Sequence, residues 1–216
     1  YNSRCTYEGK YRLWQYTDQA LVNGIDGTVD ANQKHGSWEA NLQVSQVTLN
    51  KESAVITVGS SITVKATISP SGVINPYVAW KSSSTAVASV NSAGKITGKK
   101  PGTATITAVS HNGKKASISI TVKPKSNRIT SLKKSGSNSI KISWSKVSGV
   151  TGYQIYMSTK KDSGYKRIRT TSSSVSSYTK SGLKKGRKYY FKVRSYKKVG
   201  SRYIYSNYSA VKYLTR

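Results

Sequence analysis

The residues best suited to chemistry in this sequence lie on one short stretch. Lys188-Tyr189-Tyr190-Phe191-Lys192-Val193-Arg194-Ser195 alternates, and a period of two is the mark of a strand that buries one face. With Tyr189, Phe191 and Val193 turned inward, Lys188, Tyr190, Lys192 and Arg194 share the outward face. Gly152-Tyr153-Gln154-Ile155-Tyr156-Met157 reads as a neighbouring strand that sends Tyr153, Ile155 and Met157 in, and Gln154 and Tyr156 out. A following loop adds Lys197, Lys198, Arg202, Tyr203 and Tyr205. Aromatic faces stack on sugar rings or bases, and Lys and Arg hold phosphates and carboxylates. Tyr156, Lys188, Tyr190, Lys192, Arg194, Lys197, Lys198, Arg202 and Tyr203 therefore form the candidate ligand-binding set, suited to a polyanionic glycan. The same residues also fit a plainer arrangement, a solvated sheet with tyrosines paired across strands and lysines keeping it soluble.

Charge narrows the choice of partner. The 216 residues hold 36 Lys and Arg against 7 Asp and Glu, a formal net charge of +29. Residues 123–216 carry 24 of the cations and 1 acid, residues 46–122 carry 8 and 1, and residues 1–45 carry 4 and 5. The field belongs to the last stretch. A single-sign field of that size concentrates polyanions around it, whereas mixed charge is enough for solubility. Specific nucleic-acid binding is not expected, because no reading helix or zinc finger is recognisable.

Catalytic and metal chemistry have little to work with. Cys5 has no second cysteine to join it, which removes an intrachain disulfide and a thiolate zinc site. His111 sits in the polar turn His111-Asn112-Gly113-Lys114 with no second ligand near it in sequence. Neither a metal nor a cofactor is expected. No apolar run approaches the roughly 18 to 20 residues of a membrane helix. The first residues read as neither a signal peptide nor a start methionine, so the chain is expected to begin inside a longer protein.

The elements that must position the candidate residues are short strands. Alternations such as Ile62-Thr63-Val64-Lys65-Ala66-Thr67-Ile68 recur between Gly and Ser breaks, the rhythm of β-sandwiches. Within residues 46–122, Trp80-Lys81-Ser82-Ser83, Val87-Ala88-Ser89-Val90, Gly94-Lys95-Ile96-Thr97-Gly98 and Gly102-Thr103-Ala104-Thr105-Ile106-Thr107-Ala108 resemble a bacterial immunoglobulin-like domain of group 2. The resemblance implies a spacer or adhesive module, with Trp80 in the core between the sheets. Within residues 128–216, Trp144 and the progression Leu183, Gly186, Tyr189, Phe191, Val193, Ser195 resemble a fibronectin type III domain. Residues 123–127, Lys-Pro-Lys-Ser-Asn, read as a linker crossed by few contacts, because Pro ends a strand and the segment has nothing apolar to bury.

Residues 1–40 cannot close a core alone. Leu13-Trp14-Gln15-Tyr16-Thr17 and Gly24-Ile25-Asp26-Gly27-Thr28-Val29-Asp30-Ala31-Asn32 resemble the C-terminal end of family 25 glycoside hydrolases, the lysozyme-type muramidases. That implies a barrel remnant in which Trp14 lines a substrate groove and Asp30 lies near the substrate. Packing alone for Trp14 and a turn role for Asp30 stay open. The family's catalytic Asp-x-Glu pair has no counterpart here, so this chain by itself is expected to be inactive.

The sequence therefore reads as all-β, with two tandem immunoglobulin-like β-sandwiches preceded by a short remnant of a β/α barrel. The expected function is that of the non-catalytic cell-wall-binding and spacer region of a secreted, wall-associated peptidoglycan hydrolase from a Gram-positive bacterium. Peptidoglycan or an anionic wall polymer is the expected partner, and the oligomeric state is left open. A bacterial surface adhesin is the alternative.

Overall fold

The computed structural model describes residues 43–73 and 75–216. The muramidase-like segment, with Trp14 and Asp30, lies outside the described residues. Within them the chain is all strand and loop. The N-terminal sandwich contains β1 (Gln46–Leu49), β2 (Ser53–Thr57), β3 (Ser61–Thr63), β4 (Ala66–Ser69), β5 (Val78–Ser82), β6 (Ala88–Val90), β7 (Lys95–Gly98), β8 (Gly102–Ser110) and β9 (Lys115–Lys123). The C-terminal sandwich contains β10 (Ile129–Ser135), β11 (Ser139–Trp144), β12 (Gly152–Ser158), β13 (Lys166–Ser172), β14 (Ser177–Lys180), β15 (Lys188–Val199), β16 (Arg202–Tyr205) and β17 (Lys212–Thr215).

In the N-terminal sandwich a four-stranded sheet, β2-β9-β8-β5, faces the three-stranded β3-β7-β6, and β1 pairs with β4. Alternation in β8 sets the pattern, since Ala104, Ile106 and Ala108 are buried while Thr103 and Thr105 are exposed. Ile62 to Ile68 alternate as if they were one strand, yet they divide into β3 and β4. The chain changes sheets there: β3 pairs with β7, β4 with β1, and the amide of buried Val64 donates to the Gly94 carbonyl at 3.0 Å. Trp80 is partly buried where two core clusters meet. Its ring lies over Gly94, where an added Cβ would stand 3.0 Å from the indole and 2.2 Å from the Val64 carbonyl oxygen. With φ at +71° as well, glycine is what lets the tryptophan reach both clusters.

In the C-terminal sandwich β10-β11-β14 packs against β13-β12-β15-β16, with β17 also on β15. Trp144, Tyr153, Ile155, Phe191 and Val193 fill the space between the sheets. No strand pairing crosses residues 123–127, but that segment is not a bare tether. Pro124 and Asn127 are buried, and the Ser195 hydroxyl donates to the Lys125 carbonyl at 3.3 Å. Pro101 stands beside Gly149, close enough to lie 3.0 Å from a Cβ placed there. The two sandwiches thus touch at several points. Polar composition concealed this because backbone groups and short side chains make the contacts.

One edge of β15 has an unusual construction. Residues 188–191 pair with β17 and residues 196–199 with β16, which leaves the middle of the strand to the non-strand segment Ser206-Asn207-Tyr208-Ser209. Two serines complete the edge. The Ser206 amide donates to the Ser195 carbonyl (3.0 Å) and its hydroxyl accepts from the Ser195 amide (3.0 Å). Ser209 repeats this on Val193, donating at 2.8 Å and accepting at 3.1 Å. Each hydroxyl then donates to a neighbouring carbonyl, that of Asn207 at 2.8 Å or Ala210 at 3.0 Å, so every buried group in the clasp is satisfied.

Ser209→Ala should strand the Val193 amide and cost about 1–3 kcal/mol. Urea unfolding of the variant measures this, and a loss within about 0.5 kcal/mol of zero, the range of ordinary surface changes, would show that the clasp is dispensable.

Candidate functional site

The clasp fixes Tyr205 and Tyr208 on the side of the sheet from which the even-numbered residues of β15 emerge. Lys192 Nζ lies between two rings, 4.1 Å from the centroid of Tyr208 and 4.2 Å from that of Tyr165. The Arg194 guanidinium sits 3.7 Å over Tyr205, 5.0 Å from Tyr208 and 5.3 Å from Tyr156. Tyr205 in turn stacks on Tyr203, with centroids 6.0 Å apart and planes at 10°, and Lys198 Nζ stands 5.8 Å from the Tyr203 ring. The order along the sheet is ring, cation, ring, cation, ring, ring, cation.

Hydrogen bonds lock the centre of this stack. Arg194 donates from Nε (3.0 Å) and Nη2 (2.8 Å) to Gln154 Oε1, and from Nη2 to Tyr156 Oη (2.9 Å). The Tyr156 hydroxyl donates to the same Gln154 oxygen at 2.9 Å. The cross-strand register Gln154↔Arg194 and Tyr156↔Lys192 makes this possible. These partners of Arg194 are neutral, so the guanidinium is held in place without its charge being cancelled.

The outward register expected for Gln154, Tyr156, Lys188, Tyr190, Lys192 and Arg194 is the one observed, but the face is partly covered. Gln154 is only 3% exposed, and Tyr156, Lys192 and Arg194 are half-buried under Tyr208. The nine candidate residues fall into three groups. Tyr156, Lys192 and Arg194 form the locked centre; Lys197, Lys198, Arg202 and Tyr203 lie on the β15–β16 hairpin; Lys188 and Tyr190 sit at the far end against Tyr213, at 4.7 Å and 5.5 Å respectively. Tyr165, Tyr208 and Tyr213 are contributors that sequence reasoning missed, because their segments are distant along the chain. The repeated Tyr-Ser pair at 205–206 and 208–209 was the available signal.

Among the described residues no helix is long and apolar enough to cross a membrane, and no group of three or more His, Cys, Asp or Glu side chains gathers as a metal site would require.

The fold and the paired sheets define a tandem immunoglobulin-like architecture. Residues 43–122 match the bacterial Ig-like domain (group 2) family, and residues 122–212 match the fibronectin type III domain family. An uncharacterized protein of Clostridium acetobutylicum is 41% identical over 76 residues, covering 35% of this chain and 8% of that protein. An Ig-like virion protein of Serratia phage KSP90 is 34% identical over 98 residues, covering 45% of this chain and 38% of that protein. The chain therefore spans less than half the length of either relative. A two-domain fibronectin type III segment of chicken tenascin superposes with a TM-score of 0.55 at 14% identity, over 80% of this chain and 99% of that one, a likeness of fold alone. Modules of these two kinds make the described stretch a non-catalytic surface or spacer region.

Three tyrosines on this sheet hold their protons above the ordinary value of 10.0. Burial is the main cause in each. For Tyr165 the Asp162 carboxylate and Tyr190 add to it, for Tyr196 the neighbours Tyr203 and Tyr205. For Tyr208 the hydrogen bond with Tyr156 outweighs the opposing pull of Arg194. A raised pKa in the folded state means stability that is complete below the unfolded value and is lost as pH climbs through the folded one. Thermal stability should accordingly hold up to about pH 10, the ordinary tyrosine pKa, and fall above it, with a late phase in phenolate absorbance. Titration of all tyrosines in one ordinary step, with no alkaline loss of stability, would contradict the packing described.

Proposed function

We propose that this stretch is the wall-polymer-binding spacer of a secreted bacterial peptidoglycan hydrolase, and that it captures anionic wall polymer such as teichoic acid. The observation that carries the proposal is the array of tyrosine-flanked cations on the β12–β15–β16 sheet, whose partners are rings and neutral oxygens. Glu52 and Asp162 are the only acids among the described residues, so within those residues this charge has almost nothing to pair with. The set Tyr156, Lys188, Tyr190, Lys192, Arg194, Lys197, Lys198, Arg202 and Tyr203 would supply ring faces and cations, with Tyr156, Lys192 and Arg194 acting from within the stack.

The motifs at residues 13–17 and 24–32 support a lysozyme-type muramidase as the catalytic partner, with Trp14 and Asp30 belonging to its groove. An extracellular, wall-associated location in a Gram-positive bacterium follows from that reading. The division into residues 1–40, 46–122, 123–127 and 128–216 is part of the same proposal: barrel remnant, first module, junction, second module.

Co-sedimentation with purified Gram-positive cell walls, with and without teichoic acid, tests the proposal. Wild type should bind the intact walls at 0.1 M salt and release at 1 M, as the screening length falls from about 10 Å to about 3 Å. Lys188→Glu/Lys198→Glu should bind several-fold less. Equal binding to stripped walls, or full binding by the charge-reversed variant, would defeat it.

A further inference from the structure

Two depressions on the surface share Arg202. The first lies on the outward face of the four-stranded sheet and is lined by Ser53, Val55, Thr103, Thr105, Ser119 and Thr121. The register sets these in two rows across three strands, Ser53–Ser119–Thr105 and Val55–Thr121–Thr103. The second is a cleft of about 610 Å³ at the junction of the sandwiches, where Val55, Thr103, Thr121 and Lys123 of the first module face Arg194, Val199, Arg202 and the segment Tyr203 to Tyr208 of the second. Hydroxyls, exposed Val55 and Lys123 from one module and rings and cations from the other line one open cleft.

We infer that this junction cleft, continued along the hydroxyl-bearing face of the four-stranded sheet, binds a linear polyol or sugar chain that carries phosphate groups. The inference rests on the proposed role in wall-polymer binding and places that binding between the modules instead of on the C-terminal one alone.

Each surface suits one feature of such a chain. Serine and threonine hydroxyls both donate and accept, and on a sheet they recur about 4.8 Å apart across strands and about 6.7 Å apart along them. Their small size leaves the floor flat, so a hydroxylated chain can lie on it and exchange hydrogen bonds for those it makes with water. Arg202 is exposed and common to both depressions, where its planar fork can take a phosphate. Arg194 is already oriented by Gln154 and Tyr156 and loses little freedom on meeting an anion.

Nucleic acid fits less well. Base binding needs open ring faces in succession; Tyr203 and Tyr208 are exposed at the cleft, but Tyr205 between them already contacts Arg194 and Tyr203, and the hydroxyl-bearing floor has no ring at all.

The test is calorimetric titration of the full chain with soluble poly(glycerol phosphate) at 0.15 M salt. Thr103→Glu/Thr121→Glu alters the floor without touching the C-terminal module and should weaken binding at least tenfold. Thr103→Val/Thr121→Val, close in shape and safer for folding, should weaken it about threefold or more. Lys133→Glu/Lys141→Glu, on the sheet facing away, should change affinity less than twofold despite a larger loss of charge. Polyphosphate, which has charge without hydroxyls, and single-stranded DNA should each bind at least fivefold more weakly than poly(glycerol phosphate). Vesicles of phosphatidylglycerol, carrying the same headgroup chemistry on a lipid, should compete poorly.

If wild type binds, Thr103→Val/Thr121→Val leaves affinity unchanged and the two charge-altering variants weaken in proportion to charge, wall capture stands and the cleft falls. If polyphosphate, DNA or the vesicles bind as tightly as the polymer, the cleft assignment is likewise overturned. Failure of wild type to bind any anionic polymer overturns both.

Discussion

Ser206 and Ser209 close the edge of β15 at the point where its flanking strands part, and the placement of Tyr205 and Tyr208 depends on that closure. A regular strand here would alternate its side chains, sending Tyr205 and Tyr208, three positions apart, to opposite faces. Because the segment leaves the strand and the serine hydroxyls stand in for backbone acceptors, both tyrosines reach the same side and straddle Arg194. The inward register then fills the core with Phe191 and Val193, while the outward register feeds cations into gaps between rings.

The stack resolves an electrostatic difficulty of a chain so rich in cations. Lys192 and Arg194 are two residues apart on one face, and like charges so placed repel. Ion pairs could relieve the strain only with carboxylates, which residues 123–216 supply once, as Asp162. Ring faces serve in their place, each contact contributing about 0.5–1 kcal/mol where exposed and up to about 2 when desolvated. An ion pair would have spent the charge. A ring orients it and leaves it available, which is why one arrangement can both stabilise the sheet and attract a polyanion.

Much of this was legible in the sequence, and the reasons for the remainder are specific. Period-two alternation located β12 and β15 and assigned their inward and outward residues, because one buried face constrains every second position. It could not show that Gln154 is covered, since its oxygen is taken up by Tyr156 and by Arg194, forty positions away. It joined Ile62 to Ile68 into one strand, because a strand that crosses between sheets keeps its alternation. The junction was hardest to foresee. Thr103 and Thr121 look like ordinary outward threonines, and only the approach of Arg202 and Tyr203 from the other module gives them a role. Trp14 and Asp30 lie outside the described residues.

The account turns on Arg194 being held rigidly by neutral partners with its charge intact. The order parameter of its side-chain Nε–H bond, from nitrogen-15 relaxation on the full chain, reports this directly. A value near that of rigid backbone, about 0.85, with exposed Arg128 and Arg187 well below it, is the predicted result. A value under about 0.6 for Arg194, typical of a flexible site, would mean that the rings and Gln154 do not hold it and that the stack is not the organising element of the sheet.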